Sequence, residues 1–79
     1  MKKLVEYHIS RLKDKNPSVR LEAIQELELL SDIDSLEALQ DVFKNDTNEE
    51  VRRAAQIAGR KIFVNNNRSK TESESSSSS

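Results

Sequence analysis

The 79-residue sequence contains no cysteine, no tryptophan, one glycine and one proline. Without cysteine there is no disulfide, no thiolate metal site and no thiol nucleophile. A single glycine excludes a glycine-rich loop that would cradle phosphates. No apolar run approaches the ~18 residues that a membrane-spanning helix requires. Cysteine enzymes, P-loop nucleotidases and proteins with transmembrane helices therefore do not fit this sequence.

Strong charge of one sign is also missing, because 13 basic and 14 acidic residues give a formal net charge of −1. Such a balance provides no general attraction to nucleic acid or to anionic membranes. The basic opening Met1–Lys3 has no apolar run behind it, so no signal peptide is predicted. We expect a soluble cytoplasmic protein with a single small domain.

Apolar residues recur at helical spacing in four segments, separated by short polar connections. Short connections place consecutive helices antiparallel and side by side. The sequence therefore predicts an all-α fold, with helices at about residues 2–13, 17–30, 34–44 and 48–63. The predicted core consists of Val19, Ala23, Leu27, Leu39, Phe43, Val51, Ala55 and Ile62.

Polar residues at the helix starts predict specific caps. Asn16 is suited to cap the second helix, and Pro17 is suited to its first turn, where a missing N–H costs nothing. The third and fourth helices show the capping-box pattern, in which a glutamate follows the cap by three residues. Those two pairs are Asp34 with Glu37 and Thr47 with Glu50.

The stretch Asn16–Ala23 is repeated 32 positions later as Asn48–Ala55. Both copies place Asn, Val-Arg and Ala at the same offsets, and in both an Asp lies six residues before the Arg. A period in the low thirties with helical content is typical of stacked helix pairs. We therefore predict two stacked antiparallel helix pairs, an α-solenoid of two repeats.

These residues resemble the HEAT-like repeats, in particular the short type found in phycobilisome lyases and related proteins. The resemblance covers about residues 4–63 and implies structural ion pairs between neighbouring repeats. Either Arg20 with Asp46 or Arg52 with Asp14 would form such a pair. The second copy departs from the pattern at Gly59, where a leucine is usual, and we expect a close backbone approach at this glycine.

The polar ends of the predicted stack suggest a two-repeat unit. Ala54 and Ala58 should face the first repeat, whereas their equivalents Glu22 and Glu26 should face solvent. Capping repeats are expected to be polar on their outer side. We predict a helical domain at residues 1–64 and a disordered serine-rich tail at 65–79, because the tail has no apolar residue to offset its ordering entropy.

No set of residues predicts catalysis, a cofactor or a metal. His8 is the single histidine, and without a second histidine or a cysteine it is interpreted as a structural residue. Acid pairs at helix starts are explained by the helix dipole. The sequence therefore predicts a protein that is not an enzyme and has neither a cofactor nor a metal site.

One candidate binding surface stands out, on the outward side of the second and fourth helices. Exposed aliphatic residues beside arginines suit a protein partner, so we expect an adaptor, scaffold or assembly factor that binds through this surface. The resemblance implies an alternative, an accessory subunit of a bilin lyase or phycobilisome-handling system. Nucleic-acid binding is a weaker alternative, and self-association is compatible with the small size. The candidate partner-binding residues are Leu21, Gln25, Glu28, Arg53, Ile57 and Arg60.

Overall fold

The computed structural model describes the backbone of residues 2–78 and the side chains of residues 3–67. It contains four α-helices and no strand within that part of the chain. A short 3-10 helix, Ile33–Ser35, precedes the third α-helix. The α-helices are α1 (Lys2–Arg11), α2 (Pro17–Leu30), α3 (Leu36–Asn45) and α4 (Glu49–Ser78).

The helices form two antiparallel pairs that stack side by side, as the sequence predicted. The first repeat consists of α1 packed on α2, and the second of α3 packed on α4. Contacts between α2 and α4 join the repeats. The predicted all-α, solenoid-like fold is therefore confirmed.

Among the described side chains, one hydrophobic core lies between the four helices. Six of the eight predicted core residues are fully buried, namely Ala23, Leu27, Leu39, Val51, Ala55 and Ile62. The prediction is wrong for Phe43, which is 39% exposed, and Val19 is only half-buried. Phe43 lies on the outer end of the second repeat, where the described residues provide no further repeat to cover it. The core also contains Val5, Leu12, Ile24, Val42 and Ala58.

The helix starts agree with the sequence prediction in one case and correct it in two. The Asn16 side chain accepts a hydrogen bond from the Ser18 N–H (2.9 Å) and caps α2 as predicted. The third helix begins later, after a 3-10 turn that Asp32 caps through the Asp34 N–H (2.8 Å). Before α4 it is Asn48 that accepts from the Val51 N–H (3.1 Å). The predicted capping box of Thr47 with Glu50 is therefore wrong, because Asn48 provides that cap. The predicted box of Asp34 with Glu37 is also wrong, because α3 begins at Leu36 and its N-cap residue is Ser35, which makes no side-chain cap hydrogen bond.

The last helix continues past its predicted end at about residue 63. Asn65 Nδ2 donates to Ser31 Oγ (3.1 Å), and Asn66 Nδ2 donates to the Ser31 carbonyl (3.3 Å). Ser31 ends α2 in the left-handed conformation, with φ of 53°. The helix thus extends into the segment predicted to be disordered. That prediction stays open for residues 68–79, whose side chains lie outside the described part of the chain.

Gly59 does not mark the close backbone approach that we expected. A Cβ built at this position meets only Leu36 Cδ2, at 4.0 Å, which is ordinary van der Waals contact. Gly59→Ala is therefore expected to raise the free energy of unfolding by up to ~1 kcal/mol, because alanine restricts the unfolded chain and favours helix. Urea denaturation followed by circular dichroism tests this expectation. A loss of stability would show that space at Gly59 is tighter than the structure indicates.

Candidate functional site

A buried ion pair fixes the position of the second repeat against the first. Arg20 Nη2 donates to Asp46 Oδ1 (3.1 Å), and Arg20 Nε lies 2.9 Å from Asp46 Oδ2. The two side chains are only 11% and 8% exposed. Arg20 Nη1 also donates to the Asp14 carbonyl (2.6 Å). One guanidinium thus connects α2 with the loop that precedes it and with the loop that precedes α4. This is one of the two pairings that the family resemblance implies.

The equivalent residues of the other repeat adopt the same local arrangement. Arg52 Nη1 donates to the Asp46 carbonyl (2.7 Å), as Arg20 does to that of Asp14. Asp14 Oδ1 accepts from the Asn16 N–H (2.9 Å), as Asp46 does from the Asn48 N–H (2.9 Å). Arg52 and Asp14 do not contact each other, because they lie on opposite ends of the stack.

The six candidate partner-binding residues form what we call the α2–α4 face, and they differ in accessibility. Gln25, Arg53, Ile57 and Arg60 are exposed, and Ile57 is 48% exposed. Leu21 is half-buried and packs against the core. The exposed part of the face is therefore concentrated on α4, around Arg53, Ile57 and Arg60.

Ion pairs within the chain occupy two charges of this face. Glu28 Oε2 accepts from Lys61 Nζ at 3.1 Å, and this contact links α2 to α4. Arg53 Nη2 lies 3.6 Å from Glu49 Oε2 across one helical turn, with both side chains more than two-thirds exposed. Exposed pairs of this kind contribute little stability and exchange readily for a partner's groups. Arg53 thus remains available for a ligand carboxylate, whereas Glu28 is engaged in holding the two helices together.

Sequence reasoning missed an apolar groove of about 500 Å³ on the outer end of the second repeat, between α3 and α4. We call it the end groove. Phe63, at its edge, is 52% exposed. The sequence signals for it were Gly59 in place of leucine and a phenylalanine at the end of the apolar stripe. The residues that line the end groove include Leu36, Gln40, Phe43, Gln56, Gly59, Arg60 and Phe63.

A second groove, of about 550 Å³, lies between α1 and α3. Its floor is formed by Ile9, Leu12 and Ala38, and its rim carries the acids Glu37 and Asp41. This groove lies where the two repeats of the chain meet, and we call it the seam. In the seam, Ala38 of the second repeat lies beside Ile9 and Leu12 of the first.

His8 is buried, and its ring packs edge-on against Tyr7 with the ring centroids 5.0 Å apart. Its Nδ1 makes no hydrogen bond to the described part of the chain. Among the residues that the structure describes, no three acids or histidines converge to hold a metal ion. Within the same residues, no helix is long and apolar enough to cross a membrane. His8 is therefore a buried residue of the core side of α1.

Comparison with known proteins identifies the family of this fold. A family model for HEAT repeats matches residues 1–59, which is most of the chain. No curated protein and no solved structure was found to match. The match spans both Val-Arg motifs and the Arg20–Asp46 pair between the repeats. The chain belongs to the HEAT repeat family.

Proposed function

We propose that this chain is a non-enzymatic adaptor or scaffold that binds another protein through the α2–α4 face. HEAT repeats generally mediate protein–protein interactions, and this supports a protein partner. The observation that carries the choice of surface is the exposed Ile57 between Arg53 and Arg60 on α4. Spacings of four and three residues keep the three side chains on one side of the helix.

The composition of this patch indicates what it binds. Ile57 offers an apolar anchor, and an arginine on each side can bind a carboxylate through two parallel N–H groups. The Glu28–Lys61 pair closes the patch on the side of α2. The partner that fits is a protein segment with an apolar side chain flanked by acids.

Arg53→Glu combined with Ile57→Gln should reduce partner binding at least tenfold. The first change places a like charge before the partner's acids, and the second removes the apolar anchor. Both side chains point away from the core, so the helical circular dichroism should be unchanged. The partner is captured from the source cells with the full chain, identified by mass spectrometry, purified and titrated against both proteins.

A matched control is Lys44→Glu combined with Ile33→Gln. It makes one charge reversal and one Ile-to-Gln change outside the α2–α4 face, at an exposed lysine of α3 and at an isoleucine that is 49% exposed. The control should bind as the unchanged protein does. Equal binding by all three proteins would contradict the proposed surface.

The identity of the captured molecule also separates the other functions considered. An accessory role beside a bilin lyase, which rests on the family resemblance, would appear as capture of a phycobiliprotein or a lyase subunit. Nucleic-acid binding by Arg53, Arg60 and Lys61 would appear as binding of labelled DNA or RNA that weakens steeply with salt. Salt-sensitive nucleic-acid binding without a protein partner would overturn the proposal.

A further inference from the structure

We propose that the end groove binds the first repeat of a second copy of this chain, so that copies stack head to tail. The surface that would enter the groove is the first-repeat end, which consists of Tyr7, Asp14, Glu22, Glu26 and the residues around them. It is the side of α1 and α2 that faces away from the second repeat. The first-repeat end is distinct from the α2–α4 face, whereas the end groove shares Arg60 with that face. The stacking does not depend on the proposed partner.

The ion pair inside the stack provides the first reason. Arg20 reaches forward to Asp46 of the following repeat. Arg52 holds the same position in the second repeat, and its Nη1 makes the same bond to a loop carbonyl. Within the described residues no carboxylate lies within ion-pair distance of Arg52. Asp14, the counterpart of Asp46, is exposed on the opposite end, so a stacked copy would bring Asp14 to Arg52.

The apolar residues provide the second reason. Inside the chain, Ala38 sits in the seam beside Ile9 and Leu12. The residues equivalent to Ile9 and Leu12 in the second repeat are Gln40 and Phe43, which line the end groove. The residue equivalent to Ala38 in the first repeat is Tyr7, which is exposed beside Arg11 with a ring-to-guanidinium distance of 5.7 Å. A stacked copy would therefore place its Tyr7 ring on Phe43.

The sizes of the residues on α2 and α4 provide the third reason. Within the core a large residue on α2, Leu27, is accompanied by a small one on α4, Ala58. At the ends of the stack the sizes are exchanged. The residue equivalent to Leu27 is Gly59 on α4, and the residue equivalent to Ala58 is Glu26 on α2. Gly59, where an added Cβ would be in no more than van der Waals contact with Leu36, can thus receive the longer Glu26 side chain of the next copy. Arg60, which lines the same groove, supplies the opposite charge.

The test uses two variants of the full chain, each with one end blocked. Phe63→Asp blocks the end groove, and Tyr7→Asp blocks the first-repeat end. The average mass of the unchanged protein should rise with concentration in analytical ultracentrifugation, beyond that of a dimer, since head-to-tail contacts do not close. Each variant alone should stay monomeric. An equal mixture should form dimers and nothing larger, because one intact groove then meets one intact first-repeat end.

Three results would overturn the proposal. The unchanged protein could remain monomeric at every concentration, Tyr7→Asp could still dimerise alone, or the mixture could fail to associate. Gly59→Glu controls for loss of association through misfolding. Glutamate favours the helix more than glycine does, and its side chain fills the groove and repels Glu26 of the next copy. It should be monomeric and fully helical. None of these substitutions changes Arg53, Ile57 or Arg60, so partner binding can be measured on the monomeric variants, separately from stacking.

Discussion

Replacing Leu27 with alanine is expected to lower the free energy of unfolding by about 2–5 kcal/mol. Leu27 is completely buried in the core, and its removal leaves a cavity that the surrounding helices fill only in part. A helical domain of this size is stabilised by only ~3–5 kcal/mol. The variant should therefore be largely unfolded at room temperature, as circular dichroism and urea titration would reveal.

Phe43→Ala is the matched control, because it removes more atoms from a site on the outer end of the stack. Phe43 is 39% exposed, so little cavity remains and the loss should be clearly smaller than for Leu27. Equal losses for the two variants would mean that Phe43 is covered in solution. The stability lost in Phe43→Ala can also be measured at low and at high protein concentration. A larger loss at high concentration would indicate that stacking covers Phe43.

The second large effect is expected at the ion pair between the repeats. Asp46→Ala leaves the Arg20 guanidinium buried without its carboxylate, a change that typically costs about 3–5 kcal/mol. It also removes the hydrogen bond from the Asn48 N–H to Asp46 Oδ1, at the start of α4. The denaturation midpoint should fall sharply, and nuclear magnetic resonance should show whether any remaining fold keeps the two repeats in contact.

Asp14→Ala provides the comparison, since Asp14 makes the same turn contact with the Asn16 N–H but no ion pair with the residues that the structure describes. Its loss should be limited to that hydrogen bond, about 0.5–1.5 kcal/mol. The difference between the two variants isolates the contribution of Arg20. Similar losses would show that the turn, and not the ion pair, stabilises the stack.

Most of the fold could be predicted from the sequence, because the sequence contains a recognisable repeat. Apolar spacing located the helices because one face of each is buried, and the paired Val-Arg motifs indicated the stacking. Phe43 was misplaced for a physical reason. Its helical position equals that of buried Leu12, and only the absence of a third helix pair within the described chain leaves it exposed.

The binding surfaces were less predictable than the core. Helical angles placed Arg53 and Ile57 outward, but they could not show that Glu28 is engaged by Lys61 from the neighbouring helix. The two cap predictions were wrong for a similar reason. Asp32, which caps the 3-10 helix, and Asn48, which caps α4, lie within two residues of the predicted caps Asp34 and Thr47. Competition between adjacent Asx and Thr side chains is decided by backbone angles that composition does not specify.

Contacts between the repeats also join residues that are separated by similar lengths of chain. The side-chain hydrogen bonds Arg20–Asp46, Lys61–Glu28 and Asn65–Ser31 join residues 26, 33 and 34 positions apart. Each closes a loop of about one repeat, and the entropy of closing a loop grows only with the logarithm of its length. For these contacts the chain therefore does not have to search for a partner much more than one repeat away. Folding is governed by neighbours, so adding another helix pair would lengthen the molecule without lengthening any loop.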